Sequence, residues 1–306
     1  MSFNGRDIIS IKDLTRDEIE YILDIALKMK KYYDEPTDLL KRKILATLFF
    51  EPSTRTRLSF TSAMLKLGGE VMGFSDPKAS SAAKGENLSD SIRCIESYCD
   101  VIVIRHKLEG SARLAAEVSK NPIINAGSGT QEHPTQALLD LLTIRNEFKS
   151  IDGLKIGMVG DLKYGRTVKS LSYALSLYDV ELSFISPSML SMRKEVLKSL
   201  DDAGIKYKED SDLSLALPSL DVIYVTRIQK ERFPDPADYE KVRGSYKINK
   251  DFLKDAKNSM ILMHPLPRVD EIAFDVDNLP CSRYFIQALN GVLIRMALLA
   301  LVLGKI

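Results

Sequence analysis

Apolar residues fall into two rhythms along this chain. Short, nearly continuous apolar runs at residues 44–50, 100–104, 123–124, 154–159, 180–185, 221–226 and 260–263 read as buried strands. Between several of them apolar residues recur at three- and four-residue spacing, as on one face of a helix. The first helix opens with a capping box, Thr15 at the N-cap and Glu18 three places on, with Leu14 and Ile19 set as a hydrophobic staple. Ile19, Ile22, Leu23, Ala26 and Leu27 then make one face. A second helical pattern runs from the residues after Pro52 to Leu67 and stops at Gly68-Gly69. A short strand at 70–74 leads into a polar loop, 75–85, which composition alone reads as mobile surface. Pro134 suits the first position of a further helix carrying Ala137, Leu138, Leu141, Leu142, Ile144 and Phe148. The second half alternates again: helical at 189–200 and 213–217, strand at 205–207, a long polar loop holding Pro234 and Pro236 as far as Lys247, and an apolar helix over 284–303. Alternating strands and helices in two series predict an α/β protein with two halves.

Length and composition narrow the classes. At 306 residues the chain exceeds one typical core, so two domains are expected. Hydrophobic residues make up 45% and charged residues 28%, an ordinary globular balance. A net charge of +1 offers no global attraction to nucleic acid or an anionic membrane, so any anion site must be local. Cys94, Cys99 and Cys281 form no Cys-x-x-Cys pair, and their odd number suits reduced thiols in a cytoplasmic protein. The N-terminus is mixed polar and charged, with no apolar signal segment. The run 291–303 is the most membrane-like; it falls short of the ~20 apolar residues a span needs and contains Arg295, so it reads as a buried helix.

The candidate chemistry begins where the 44–50 strand stops. Ser53-Thr54-Arg55-Thr56-Arg57 follows Glu51-Pro52 and opens a helix, whose first-turn N–H groups and dipole favour an anion. Hydroxyls at Ser53, Thr54 and Thr56 and the forks of Arg55 and Arg57 add donors suited to phosphate oxygens. The plain alternative is a helix capped by Ser53 with two solvated arginines. Arg105 directly follows an apolar strand, so it should meet either an anionic ligand or an internal carboxylate. Gly127-Ser128-Gly129 reads as a flexible loop ahead of His133-Pro134-Thr135-Gln136, where His133 could act as a cap or as a catalytic group. Gly160-x-x-x-x-Gly165-Arg166-Thr167 approaches a P-loop, but arginine stands where its lysine must be, and Gly157-x-x-Gly160 lacks the dinucleotide fingerprint. Another arginine, Arg227, follows the strand 221–226, and the last short strand runs into His264-Pro265-Leu266-Pro267-Arg268.

Taken in order, these motifs resemble those of the aspartate/ornithine carbamoyltransferase family along essentially the whole chain. The resemblance implies two doubly wound domains, each a parallel sheet flanked by helices, with a C-terminal helix packing back on the first domain. The expected division is 1–134 with 285–306, a linking helix 135–149, and 150–284. It also implies that Ser53, Thr54, Arg55, Thr56, Ser80, Arg105, His133 and Gln136 bind carbamoyl phosphate. Ser80 and Lys84 would reach into a neighbouring subunit's site, and Lys84, Arg55, Thr56, Arg105 and His133 would be catalytic. Thr226-Arg227-x-Gln229-x-Glu231-Arg232 and Pro265 resemble the aspartate branch, where the ornithine branch has a cysteine after the histidine. Arg166, Arg227, Gln229 and Lys84, with the backbone carbonyls of Pro265 and Leu266, would then hold L-aspartate, and His264 would be structural. The implied reaction transfers a carbamoyl group from carbamoyl phosphate to the aspartate amine, early in pyrimidine biosynthesis. It needs no cofactor or metal, and domain closure would bring the reactants together. The implied assembly is a homotrimer with shared active sites, with zinc-containing regulatory chains as optional partners. An ornithine or other amino-acceptor carbamoyltransferase, and a non-catalytic anion-binding protein, stand as the alternatives.

Overall fold

The structure, a computed structural model, describes residues 2–76 and 81–306. It divides into two compact units, Met1–Leu139 with Leu289–Ile306, and Asp140–Ala288.

In the first unit, α1 (Arg16–Asp34) carries the capping box: Thr15 Oγ1 accepts from the Glu18 amide at 3.3 Å, and Glu18 Oε2 accepts from the Thr15 amide at 2.9 Å. Its buried face holds Ile19, Ile22, Leu23, Ile25, Ala26 and Met29, whereas Leu27 is exposed, one position off that stripe. There follow β1 (Ile44–Phe49), α2 (Thr54–Lys66), β2 (Glu70–Phe74), α3 (Leu88–Ile95), β3 (Val101–His106), α4 (Ser111–Val118), β4 (Ile123–Ser128) and the start of α5 (Pro134–Phe148), whose residues from Asp140 on belong to the second unit. The described strands form a parallel four-stranded sheet in the order β2-β1-β3-β4. On one face Ala46, Leu48, Ile102, Ile104 and Ile123 pack with Ile92 and Ala112 from the helices, which is why these strands read as unbroken apolar runs. β4 is longer than its two isoleucines suggested. It continues through Gly127 and Ser128, because Asn125 Oδ1 accepts from the Gly127 amide at 2.8 Å and Gly127 takes a φ of 119°, open to glycine.

The second unit contains β5 (Lys155–Val159), α6 (Arg166–Leu175), β6 (Glu181–Ile185), α7 (Lys194–Asp202), β7 (Lys206–Asp210), α8 (Leu213–Ala216), β8 (Val222–Val225), α9 (Pro236–Val242) and β9 (Ile261–Met263). Its described strands make a parallel five-stranded sheet in the order β7-β6-β5-β8-β9. Two expectations change here. The span expected as one helix at 189–200 is a 3-10 turn, Ser188–Leu190, followed by α7. The supposed loop after Arg227 holds a 3-10 turn, Lys230–Arg232, and α9. Asp235 caps α9 by accepting from the Ala237 amide at 2.8 Å, and Pro236 is its first residue, so the proline that suggested a loop starts a helix.

α10 (Tyr284–Val302) ends the chain. Residues 289–306 belong to the first unit, where Val302 O accepts from the Gly5 amide at 2.9 Å and Ile294 through Val302 are buried. Among the described residues it is the helix long and apolar enough to cross a membrane, and 72% of that stretch is buried in the fold.

Candidate active site

Each sheet reverses its winding at one point, between β1 and β3 in the first unit and between β5 and β8 in the second. Loops at the carboxyl ends of strands diverge at such points and leave a crevice for ligands.

In the first unit β1 and β3 run side by side with Phe49 opposite Arg105, and the Arg105 carbonyl accepts from the Phe50 amide at 2.8 Å. The register sets Arg105 beside the turn into α2. Ser53 takes an extended N-cap backbone, φ −159°, but its side chain makes no cap hydrogen bond, so the capped-helix alternative does not describe it. Thr54 and Arg55 are exposed, Arg57 half-buried and Thr56 buried. Arg105 donates from Nη1 to Ala126 O at 3.1 Å, and its Nη2 lies 3.6 Å from Glu51 Oε1. The internal carboxylate expected as the alternative partner is therefore there, though at the long end of ion-pair distance. Beyond β4 the chain enters α5, with His133 and Gln136 buried at its start and Thr135 Oγ1 3.4 Å from His133 Nδ1. Arg295 of α10 sits behind both helix starts. It is 3% exposed, donates to Ser59 Oγ of α2 at 2.8 Å and to Thr135 Oγ1 of α5 at 3.5 Å, and covers the Phe60 ring at 5.1 Å. Ser53, Thr54, Arg55, Thr56, Arg105, His133 and Gln136 thus gather at the carboxyl edge of β1, β3 and β4. Lys84 does not join them. It ends the 3-10 turn Ser81–Lys84 beyond the edge strand β2, exposed and with no hydrogen bond or ion pair among the described residues. Ser80 lies outside the described residues.

In the second unit the predicted residues follow three adjacent strands. Arg166 opens α6 after β5, Arg227 and Gln229 follow β8, and Pro265 and Leu266 follow β9. Gly160 has a φ of 111°, and a Cβ there would lie 2.2 Å from Thr226 O, so glycine is required for the two loops to approach. Arg227 holds Glu231 with both arms of its fork, Nη1 to Oε2 at 3.1 Å and Nη2 to Oε1. That bond pulls the Glu231 carboxyl below its usual range and pushes Arg227 up. His264 is buried and organises its turn. Its Nδ1 accepts from the Leu266 amide at 2.8 Å, so the ring proton sits on Nε2, facing Glu271 Oε1 at 2.7 Å. Glu271 Oε2 accepts from the Val269 and Asp270 amides, both at 3.1 Å. Leu266 is held at φ 54°, outside the usual range for a leucine. The structural reading of His264 agrees with these bonds.

Three carboxylates to which the sequence motifs assign no role, Glu51, Glu271 and Asp161, shape these loops together with Glu231 of the Thr226–Arg232 motif. Asp161 is the most telling. It is fully buried, accepting from the Tyr164 amide at 2.9 Å and the Gln229 amide at 3.5 Å, and so joins the loop before Arg166 to the loop after Arg227. Burial pushes its carboxyl up to about 6, although those amides and Arg227 pull the other way. The signal was available: a charge set directly after an apolar strand, as at Arg105. Among the described residues no His, Cys, Asp and Glu cluster is arranged to hold a metal.

Known proteins resemble both halves of this chain. Residues 6–146 match the carbamoyl-phosphate-binding domain model of aspartate/ornithine carbamoyltransferases, and residues 152–302 match the Asp/Orn-binding domain model. The aspartate carbamoyltransferase catalytic subunit of Thermococcus gammatolerans is 57% identical over 306 residues, covering 99% of each chain. The catalytic subunit of the aspartate transcarbamoylase of Methanocaldococcus jannaschii superposes with a TM-score of 0.90 at 55% identity, covering 96% of this chain and 97% of that one. Aspartate transcarbamoylase from Trypanosoma cruzi, in complex with carbamoyl phosphate and aspartate, superposes with a TM-score of 0.94 at 40% identity, covering 98% of each. With both halves matched and near-complete relatives at this identity, the chain belongs to the aspartate/ornithine carbamoyltransferase family.

Proposed function

We propose that this chain transfers the carbamoyl group of carbamoyl phosphate to the amine of L-aspartate, giving N-carbamoyl-L-aspartate and inorganic phosphate. The relatives' names support the reaction, and one observation carries the choice of acceptor. Arg227, at the carboxyl end of β8, already grips a carboxylate through both arms of its fork. Planar bidentate pairing is how a guanidinium selects a carboxylate. The side-chain carboxylate of aspartate suits that fork, whereas the distal amine of ornithine would meet a like charge.

On this reading the turn Ser53, Thr54, Arg55 and Thr56 binds the phosphate through its N–H groups, hydroxyls and guanidinium. Arg105 spans phosphate and carbonyl, His133 and Thr56 donate to the carbonyl oxygen, and Gln136 meets the carbamoyl nitrogen. Arg166, Arg227 and Gln229 hold the aspartate carboxylates, while the Pro265 and Leu266 carbonyls accept from its amine. Ser80 and Lys84 come from a neighbouring copy in a homotrimer, Lys84 serving both ligands. The neutral amine attacks the carbamoyl carbon, a C–N bond forms, and negative charge moves to the carbonyl oxygen, where His133, Arg105 and Thr56 stabilise it. The C–O bond to phosphate then breaks, and the proton lost by the amine leaves on the phosphate. Positioning and oxyanion stabilisation supply the acceleration. The same reading makes this an early, cytoplasmic step of pyrimidine biosynthesis and does not require zinc-containing regulatory chains.

The test is phosphate release from carbamoyl phosphate by the purified chain, with L-aspartate or L-ornithine as acceptor. Release and carbamoylation with aspartate alone are expected. Turnover with ornithine would overturn the assignment of Arg227. Phosphate binding without turnover on either acceptor would favour a non-catalytic anion-binding protein.

A further inference from the structure

A buried carboxylate directly precedes His133. Glu132 is 8% exposed, and both of its carboxylate oxygens are bonded to the start of the chain. Ser10 Oγ donates to Oε1 at 2.7 Å, and the Ile11 amide donates to Oε2 at 2.9 Å. Those partners are themselves fixed. Ser10 caps the 3-10 turn Ile11–Asp13 by accepting from the Lys12 amide at 3.1 Å, and Ile11 is buried. Just upstream, Ile8 pairs beside β4 in parallel, its amide donating to Ile123 O at 2.8 Å and its carbonyl accepting from the Asn125 amide at 2.9 Å. Asn125 Nδ2 donates to Ile9 O at 2.8 Å, and the Glu132 carbonyl accepts from the Ser128 amide at 3.1 Å. Residues 8–11 therefore brace the connection from β4 to α5 at both of its ends. A carboxylate is a costly group to bury, and an apolar side chain would fill the space without that cost. What the carboxylate adds is direction: two bonds from rigid donors orient the residue directly before His133.

We infer that Glu132 is a positioning residue, whose carboxylate, clamped between Ser10 and Ile11, sets the His133 imidazole against the carbamoyl carbonyl oxygen. The inference rests on the role proposed above for His133, and it makes the N-terminal segment part of the reaction machinery. A displacement of His133 reaches the chemistry without loosening the phosphate, which the turn into α2 holds. The expected signature is therefore a loss in kcat with a smaller change in the KM for carbamoyl phosphate.

The experiment compares Glu132→Ala, Glu132→Gln, Ser10→Ala and the double variant Ser10→Ala/Glu132→Ala, with His133→Ala as control. Steady-state kinetics are read beside the imidazole NMR signals, which this chain's three histidines keep sparse. Glu132→Ala is expected to lower kcat about a hundredfold, the scale of a small misplacement of a reacting group. It should shift the His133 signals and leave those of His106 and His264 in place. Ser10→Ala is expected to lower kcat about tenfold, in line with one lost hydrogen bond to a carboxylate, and to add nothing to Glu132→Ala. Glu132→Gln, which keeps an acceptor oxygen, should recover part of the loss. Unchanged kcat in folded Glu132→Ala, or a lower kcat with unmoved His133 signals, would overturn the clamp. If Glu132→Ala does not fold, Ser10→Ala decides by the same two readouts. His133→Ala separates the two levels: full activity in that variant would sink the role of His133 itself, whereas a crippled His133→Ala beside a normal Glu132→Ala would sink the clamp alone.

Discussion

Asp161 shows how one residue can carry opposite obligations. Its ordinary value of 3.8 is raised by burial to about 6, so the fold binds this proton more tightly than the unfolded chain does. The stability it contributes is fullest below its ordinary value and is lost as pH rises through about 6. The loops need the other form, because the carboxylate accepts from the Tyr164 and Gln229 amides. Affinity for aspartate is therefore expected to improve as pH rises through about 6, with the KM for carbamoyl phosphate following it less closely. A pH series of aspartate KM checks this; in Asp161→Asn the acidic limb should flatten at a uniformly weak affinity. A limb unchanged in that variant would assign the titration elsewhere. At this scale the arginines were legible, because a charge after an apolar strand demands a partner. The partners that Arg227 and Asp161 found were not. Glu231 lies one helical turn beyond Arg227, within view of the sequence, but Gln229 is 68 positions from Asp161.

Elements with strong local signals formed where local physics placed them. The capping box at Thr15 and Glu18 starts α1, and Gly68 follows the end of α2 at a φ of 81°, where glycine is favoured. Replacing Thr15 by alanine removes the acceptor for the Glu18 amide and is expected to destabilise by about 1 kcal/mol, read as a lower unfolding midpoint with unaltered kinetics. An unchanged midpoint would mean that the Arg6–Glu18 ion pair alone sets that helix start. Elements that depend on neighbours were read short or missed. β4 extends through two residues expected as loop because Ser128 pairs with His106 of β3, across a shift in register. Pro234 and Pro236 point to a loop by composition, but Asp235-Pro236 is also a helix start, and α9 begins there.

For the whole molecule, the shared-site reading depends on Lys84. The turn that carries it follows the edge strand β2, and the side chain is exposed and unbonded among the described residues, which suits a group that serves another copy. Lys84→Ala and Arg105→Ala are each expected to be inactive as pure assemblies. Dissociated, mixed and reassembled, they should regain activity through sites that take both intact residues, one from each copy. No recovery in a mixture shown by mass to contain hybrids would mean that the sites are not shared. The apolar C-terminal run illustrates the same scale. Its composition approaches that of a membrane span, and its place among the buried helices of the first unit is what uses that composition up.

The sequence by itself determined the alternation of strands and helices, the α/β class with two series, the anion-suited helix start at Ser53, and the arginines at strand ends. These follow from local rules: periodicity, capping, and the refusal of a charge to sit alone after an apolar run. Only the tertiary structure decided which strands lie side by side, and hence that the loops after β1, β3 and β4 share one edge and those after β5, β8 and β9 another. It also decided that Glu51, Glu132, Asp161 and Glu271 would be the carboxylates that hold those loops, the last three of them buried. Their partners are backbone amides and side chains brought in by strand order and chain crossing, and a hydrogen bond to a neighbour in space leaves no mark on the pattern of neighbours in sequence.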